Sequence, residues 1–203
     1  MVTPKINQSM DNKTEKHPLE PFLPQNARIL MLGSFPPPRA RWSMEFFYPN
    51  WQNDMWFLMG LLFFGNKYHF RFKDEKRFDK EAVVDFCNSK GIALYDTACE
   101  VVRLKENASD KFLEIETATD IEALLNKLPY CTAIVTTGQK ATETIVNSLH
   151  CEQPAMGGKS TLCIGERTYN FWRMPSTSRA YPLALEKKAA YYHSMLVNEG
   201  LLL

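Results

Sequence analysis

The chain lacks an apolar run long enough to cross a bilayer, and its opening stretch, MVTPKINQSMDNKTEKHPLE, has none of the apolar centre of a secretion signal. A soluble, cytoplasmic protein without a membrane partner is the expectation. Charge of one sign is lacking too: 24 Lys and Arg against 23 Asp and Glu leave a formal net charge of +1. That excludes a strongly basic nucleic-acid coat but not a local positive face, for which a few cations such as Arg39, Arg41, Lys140 and Arg179 suffice. The five cysteines are odd in number and form no C-x-x-C pair, and His69, His150 and His193 are off metal-ligand spacing. Free thiols in a reducing compartment, with no metal and no cofactor, are expected. Gly33-Ser-Phe-Pro36 has neither the lysine of a phosphate-binding loop nor dinucleotide-binding glycine spacing, which argues against a kinase or dehydrogenase. There is no Gly-x-Ser-x-Gly, and His193 falls within a predicted helix, so a serine hydrolase has little support.

What the chain does have is concentrated between Ile29 and Gly60. An apolar run reaches Gly33-Ser34, breaks on three prolines, and gives way to rings and amides. Three of the four tryptophans (Trp42, Trp51, Trp56) fall here, beside Phe46, Phe47, Tyr48, Asn50, Gln52 and Asn53. Flat π-surfaces next to amides suit a planar heterocycle, because rings stack on its faces while an amide reads its edge. Several of these rings must nevertheless be core. Trp56 and Phe63 share an apolar helical face, whereas Trp42, Phe47 and Tyr48 are expected nearer the surface.

Length and a hydrophobic content of 45% fit one domain, assigned to residues 21–203, preceded by a polar, flexible arm at 1–20. Short buried strands are predicted at 28–32, 92–95 and 132–136, and a hairpin at 161–164 and 168–173 leads into the last strand. Helices are predicted from 53 to 65, around 82–87 ending at Gly91, from a Thr119-x-x-Glu122 capping box to 128, over 138–149, and from Pro182 to 198. Strands alternating with helices imply an α/β fold whose mainly parallel sheet is covered on both faces. The segments GSFPPP, YDT, TTGQ and MPSTS each follow the carboxyl end of a predicted strand, the edge where open α/β sheets bind ligands. Met174-Pro-Ser-Thr-Ser-Arg-Ala-Tyr-Pro182 admits two readings, an ordinary turn with a helix cap or a hydroxyl-rich cradle for phosphate beside Arg179.

In order and spacing these segments resemble the uracil-DNA glycosylase superfamily, closest to its mismatch-specific and hypoxanthine-removing branches. The resemblance is carried by Gly33-Ser-Phe-Pro36, Phe46-Phe-Tyr-Pro49, Asn53-Asp-Met-Trp56, Gly91-Ile-Ala-Leu-Tyr-Asp96, Ser109-Asp110, Gly138-Gln-Lys-Ala141 and Met174-Pro-Ser-Thr-Ser178, and spans about residues 29–182. It implies a three-layer α/β/α sandwich around a mainly parallel four-stranded sheet, and a DNA glycosylase of base-excision repair. Such an enzyme hydrolyses the N-glycosidic bond of a flipped deaminated base, uracil or hypoxanthine, without cleaving the strand. The chain departs from the family where many members carry Asp, Glu or Asn to orient the attacking water: Phe35 stands there. The last loop also lacks the histidine of the best-known branch.

By that resemblance Asn53 is the candidate catalytic residue, although its position equally fits a helix N-cap. Ser34, Phe35, Phe46, Phe47, Tyr95 and Asp96 are candidates for the base, and Pro175, Ser176, Thr177, Ser178 and Arg179 with Gly138, Gln139 and Lys140 for DNA. The expected partner is DNA carrying a damaged or mismatched base, bound by a monomer. Two other readings stay open: a non-catalytic lesion- or single-strand-binding protein on the same fold, and a small-molecule nucleoside hydrolase.

Overall fold

The short apolar runs become strands buried along their whole length. The computed structural model describes residues 13–104 and 110–203. Strands β1 (Thr14–Lys16) and β2 (Ile29–Gly33) precede helices α1 (Met55–Phe64) and α2 (Lys80–Lys90). Then come β3 (Ile92–Asp96), β4 (Ala98–Arg103), β5 (Leu113–Ala118), α3 (Ile121–Leu125), β6 (Ala133–Thr137) and α4 (Gln139–Leu149). The hairpin β7 (Lys159–Ile164) and β8 (Arg167–Met174) leads to α5 (Leu185–Asn198). Every residue of β2, β3 and β6 is buried, the pattern of strands covered on both faces rather than one.

The central sheet has the order β3-β2-β6-β8-β7. Its first four strands run parallel, and β7 pairs antiparallel with β8. The expected four strands therefore form the parallel core, and the hairpin adds a fifth. Helix α1, MWFLMGLLFF, is apolar all round and correspondingly buried from Met55 to Gly60. Helix α2 starts where Asp79 accepts the Ala82 N–H and stops at Gly91, whose φ of 67° is the left-handed conformation that ends a helix. The cap of α3 lies one residue later than the sequence suggests. Asp120, not Thr119, accepts the first-turn N–H of Ala123, while the Thr119 hydroxyl donates to the Asp96 carbonyl at 2.7 Å.

A second sheet, β1-β4-β5, is antiparallel throughout and has no counterpart in the sequence reading. Its strands are short and half-exposed, and β4 pairs irregularly with β5, so neither shows a clean two-residue alternation. It encloses a small apolar cluster of Phe35, Ala98, Val101 and Leu113. Residues 13–20, assigned by their polarity to the flexible arm, are instead built into the fold. Thr14–Lys16 pairs with β4 through backbone hydrogen bonds, for which side-chain polarity is irrelevant, and His17 follows with its ring buried.

Candidate functional site

The carboxyl ends of β2, β3, β6 and β8 meet at one edge, as the topology requires of parallel neighbours. There a cavity of 520 Å³ is bordered by Ser34 to Pro37, Asp96, Thr137 and Ser176 to Tyr181, and closed by the aromatic loop from Phe46 to Asn50 with Gln52 and Asn53.

Two tryptophans hold that loop. The Trp56 indole, on α1, donates to the Phe47 carbonyl at 3.0 Å, and the Trp42 indole donates to the Pro37 carbonyl at 2.7 Å. The Pro49 carbonyl accepts from both the backbone and the hydroxyl of Ser43. Tyr48, at φ 50°, takes the left-handed conformation that a ring-bearing residue rarely adopts, and its hydroxyl pairs with the Thr137 hydroxyl at 3.0 Å. Burial pushes the Tyr48 phenol far above its ordinary range, so it stays protonated. Phe47 is buried rather than near the surface, and Trp42 and Tyr48 are half-buried. Phe46 and Phe47 meet edge-to-face at 5.2 Å and form one wall of the cavity.

Asp96, the last residue of β3, faces that wall. Its Oδ2 accepts from the His17 Nε2 at 2.9 Å. A Cβ at Gly33 would collide with Oδ1, so glycine is what lets the carboxylate lie against the end of β2. His17 is wedged among the rings of Phe35, Phe47 and Tyr95, with centroids 5.3, 6.2 and 4.6 Å away. A second carboxyl, Asp110, also borders the cavity. Solvent reaches it, yet the protein packed round it strips enough water to raise its pKa, and the charge of Asp96 adds to the rise. Ser34, Lys140 and Arg103 oppose that shift. Among the described residues, the backbone N–H groups of Ser34 and Phe35 make no hydrogen bond within the protein.

Asn53 does border the cavity, and it also serves the helix start, its Oδ1 accepting the Met55 N–H at 2.9 Å. One acceptor site is thereby used, while the amide NH2 has no partner among the described residues. The cap itself is the next residue, Asp54. Its two oxygens bind Arg179 Nε and Lys188 Nζ, each at 2.8 Å, and Lys188 is 0% exposed. Lys188 also donates to the Ser178 carbonyl at 2.9 Å, and the Asp54 N–H donates to the Thr177 carbonyl at 2.7 Å. The loop after β8 is thus stitched to the start of α1, and one carboxylate against two cations leaves a positive surplus beneath it. Ser176 and Ser178 use their oxygens to accept the N–H groups of Ser178 and Ala180, which leaves both hydroxyl protons able to donate outward.

The cavity therefore brings together Ser34, Phe35, Phe46, Phe47, Asn53, Asp96 and Ser176 to Arg179. It does not gather the rest of the sequence-derived set. Tyr95 turns its ring toward His17 and Cys99, and the Pro175 carbonyl accepts from Tyr192. Gly138, at φ 113°, permits close approach to Ser176, where a Cβ would come within 3.3 Å. Gln139 bonds Glu143 and Arg173, and Lys140 acts on Asp110 only through its charge. Phe35 borders the cavity but packs in the second sheet's cluster. Arg179 is half-exposed and already paired. Sequence reasoning missed His17, Asp54 and Lys188, which owe their roles to long-range contacts. Asp110 stood in a recognised segment without being assigned to the site, and Ser109 lies outside the described residues.

No protein-family model matches the chain, and no curated protein does. Among solved structures it is similar to a protein from Methanosarcina acetivorans, determined in solution and provisionally assigned as a uracil DNA glycosylase. The TM-score is 0.60 at 18% identity, over 93% of this chain and 99% of that one. The fold is uracil-DNA-glycosylase-like. At that identity the likeness fixes architecture, and the chemistry has to be argued from the cavity. Among the described residues, no helix is long and apolar enough to cross a membrane.

Proposed function

We propose that the protein is a monofunctional DNA glycosylase that hydrolyses the N-glycosidic bond of a flipped, deaminated base, uracil or hypoxanthine, in base-excision repair. The observation that carries this is the cavity at the ends of the parallel strands, where two carboxyls and an amide face a phenyl wall. Its 520 Å³ falls within the range of about 300–1,000 Å³ usual for small-ligand sites and is ample for one nucleoside. Extruding a base costs a few kcal/mol, and less when it is already mispaired, which favours deaminated bases in mismatches.

As the glycosidic bond breaks, its electron pair leaves with the base and the sugar becomes an oxocarbenium-like cation. Water then adds to the anomeric carbon and gives up a proton, yielding an abasic site and free base. The Asp96 carboxylate supplies the negative charge and proton acceptor that Phe35 cannot. The N–H groups of Ser34 and Phe35 receive charge developing on the base, and the Asn53 NH2 holds the base edge or the water. Ser176, Ser178 and the exposed part of the Arg179 guanidinium grip flanking phosphates. Lys188 is held by Asp54 and Ser178, so it is not available as a Schiff-base nucleophile.

The test incubates enzyme in excess with duplexes bearing uracil or hypoxanthine opposite guanine or thymine, then cleaves abasic sites with alkali. Strand breaks after alkali, and none before it, are the expected result. Asp96→Asn and Asn53→Ala should each slow release far more than they weaken binding. No release from any duplex would overturn the reading. Because Phe35 belongs to an apolar cluster, a lesion-binding protein without base release is the second reading. Tight, salt-sensitive binding to modified duplexes without product would establish it.

A further inference from the structure

We infer that His17 is a positioning residue for Asp96, so that the segment running from β1 completes the site. The inference rests on the glycosylase reading for what Asp96 does, but the contact itself stands on geometry. The His17 ring is 2% exposed, and its Nε2 lies 2.9 Å from Asp96 Oδ2. Its Nδ1 lies 2.8 Å from the Leu19 carbonyl and accepts the Leu19 N–H at 3.2 Å; with Nδ1 the acceptor, the ring proton of the neutral imidazole sits on Nε2 and is donated to Asp96. Three aromatic rings fix the plane of the imidazole. Two residues on, Leu19 borders the cavity.

Asp96 alone is free to rotate about its side-chain bonds. Gly33 admits Oδ1 from one side and the imidazole N–H holds Oδ2 from the other, which fixes the carboxylate plane relative to the phenyl wall. The three-residue strand β1 has a purpose on this account. Pairing Thr14 to Lys16 with β4 sets the register that delivers His17 to the end of β3. A carboxylate acting on a cationic sugar must be aimed, and misplacement of about 1 Å costs on the order of 10²-fold in rate.

The experiment compares His17→Phe, which keeps a ring in the aromatic pocket but donates nothing, with His17→Gln, whose terminal amide reaches as far as Nε2. Single-turnover base release and the affinity for lesion duplex are measured for both, and the ring 15N resonances of His17 are recorded in the wild type and in Asp96→Asn. Expected is a loss of about 10²-fold in rate for His17→Phe at unchanged affinity, recovery of most of that rate in His17→Gln, and displaced His17 resonances in Asp96→Asn. Wild-type rate in His17→Phe would overturn the inference, as would a His17→Gln rate no better than that of His17→Phe. Should His17→Phe fail to fold, the His17→Gln rate and the resonances decide. If the wild-type protein releases no base, the functional reading fails by itself. The 15N comparison then decides the inference, and resonances indifferent to Asp96→Asn would end it.

Discussion

Two aspartates at the same edge of the fold, Asp54 and Asp96, are nearly equally buried and do opposite work. Asp54 has both oxygens bound to cations, Arg179 and Lys188, and holds the start of α1 against the loop after β8. Among the described residues Asp96 has one side-chain hydrogen bond, from His17, with a glycine beside its other oxygen and the cavity in front. A carboxylate with both oxygens bound to cations is a fastener. One held at a single oxygen and open on one face can act on something that enters.

The sharpest way to break this contrast is to remove a partner from each. Lys188→Met leaves the buried Asp54 with only the half-exposed Arg179, and breaking a buried pair from one side typically costs about 3–5 kcal/mol. Denaturant unfolding should show a loss near the lower end of that range, since Arg179 remains, together with weaker DNA binding as the loop loosens. A change below about 1 kcal/mol would mean that Asp54 is no fastener. At the other aspartate, Gly33→Ala pushes a methyl group into Oδ1. Overpacking of this kind costs about 1–3 kcal/mol, and the displaced carboxylate should slow single-turnover base release by about 10²-fold. Full activity in folded Gly33→Ala would show that the position of Asp96 is irrelevant.

The contrast also marks what the sequence could disclose. The parallel strands were legible because Ile29-Leu-Met-Leu and Ala133-Ile-Val are apolar on both faces, and Gly91 and Pro129 punctuate the helices. Convergence of four loops on one rim followed from that alternation. The antiparallel sheet stayed hidden because Ala98-Cys-Glu-Val-Val-Arg and Leu113-Glu-Ile-Glu-Thr-Ala mix charges with half-buried positions, and Thr14-Glu-Lys has no apolar signal at all. His17 and Lys188 were invisible for a different reason. Their partners lie 79 and 134 residues away, and no local pattern encodes a hydrogen bond of that span. Asn53 shows the middle case. Its sequence position suggested both a helix start and a site residue, and its carbonyl serves the first while its side chain borders the cavity.

Asp110 sharpens the comparison as a third carboxyl, exposed on one side, with a hydrogen bond to Ser34 and the charges of Lys140 and Arg103 acting on it. Its pKa is raised from the ordinary 3.8, first by loss of water and then by Asp96. A carboxyl with a folded pKa above its unfolded one keeps its proton longer in the native state, so stability falls as pH rises through that window. Asp110→Asn should therefore raise the melting temperature at neutral pH, with the gain fading as pH drops below the ordinary carboxylate range. A gain that does not change with pH would place its origin outside this titration.

The smallest expected effect belongs to Arg179. It is 46% exposed, and Lys188 still neutralises Asp54 when it is gone, so Arg179→Ala should change unfolding free energy by no more than about 1 kcal/mol. Its guanidinium also lies 4.9 Å from the centre of the Phe57 ring, a contact that keeps it oriented at the cavity rim. If it meets a phosphate there, the variant should bind lesion duplex more weakly and reduce the slope of log affinity against log salt by about 1, without favouring one base over another. Measured over a salt titration, an unchanged slope would assign Arg179 wholly to the Asp54 fastener. A lowered slope with intact stability would show that one residue can belong to the fastener and still serve the site, because only the Nε edge of its guanidinium is bonded to Asp54.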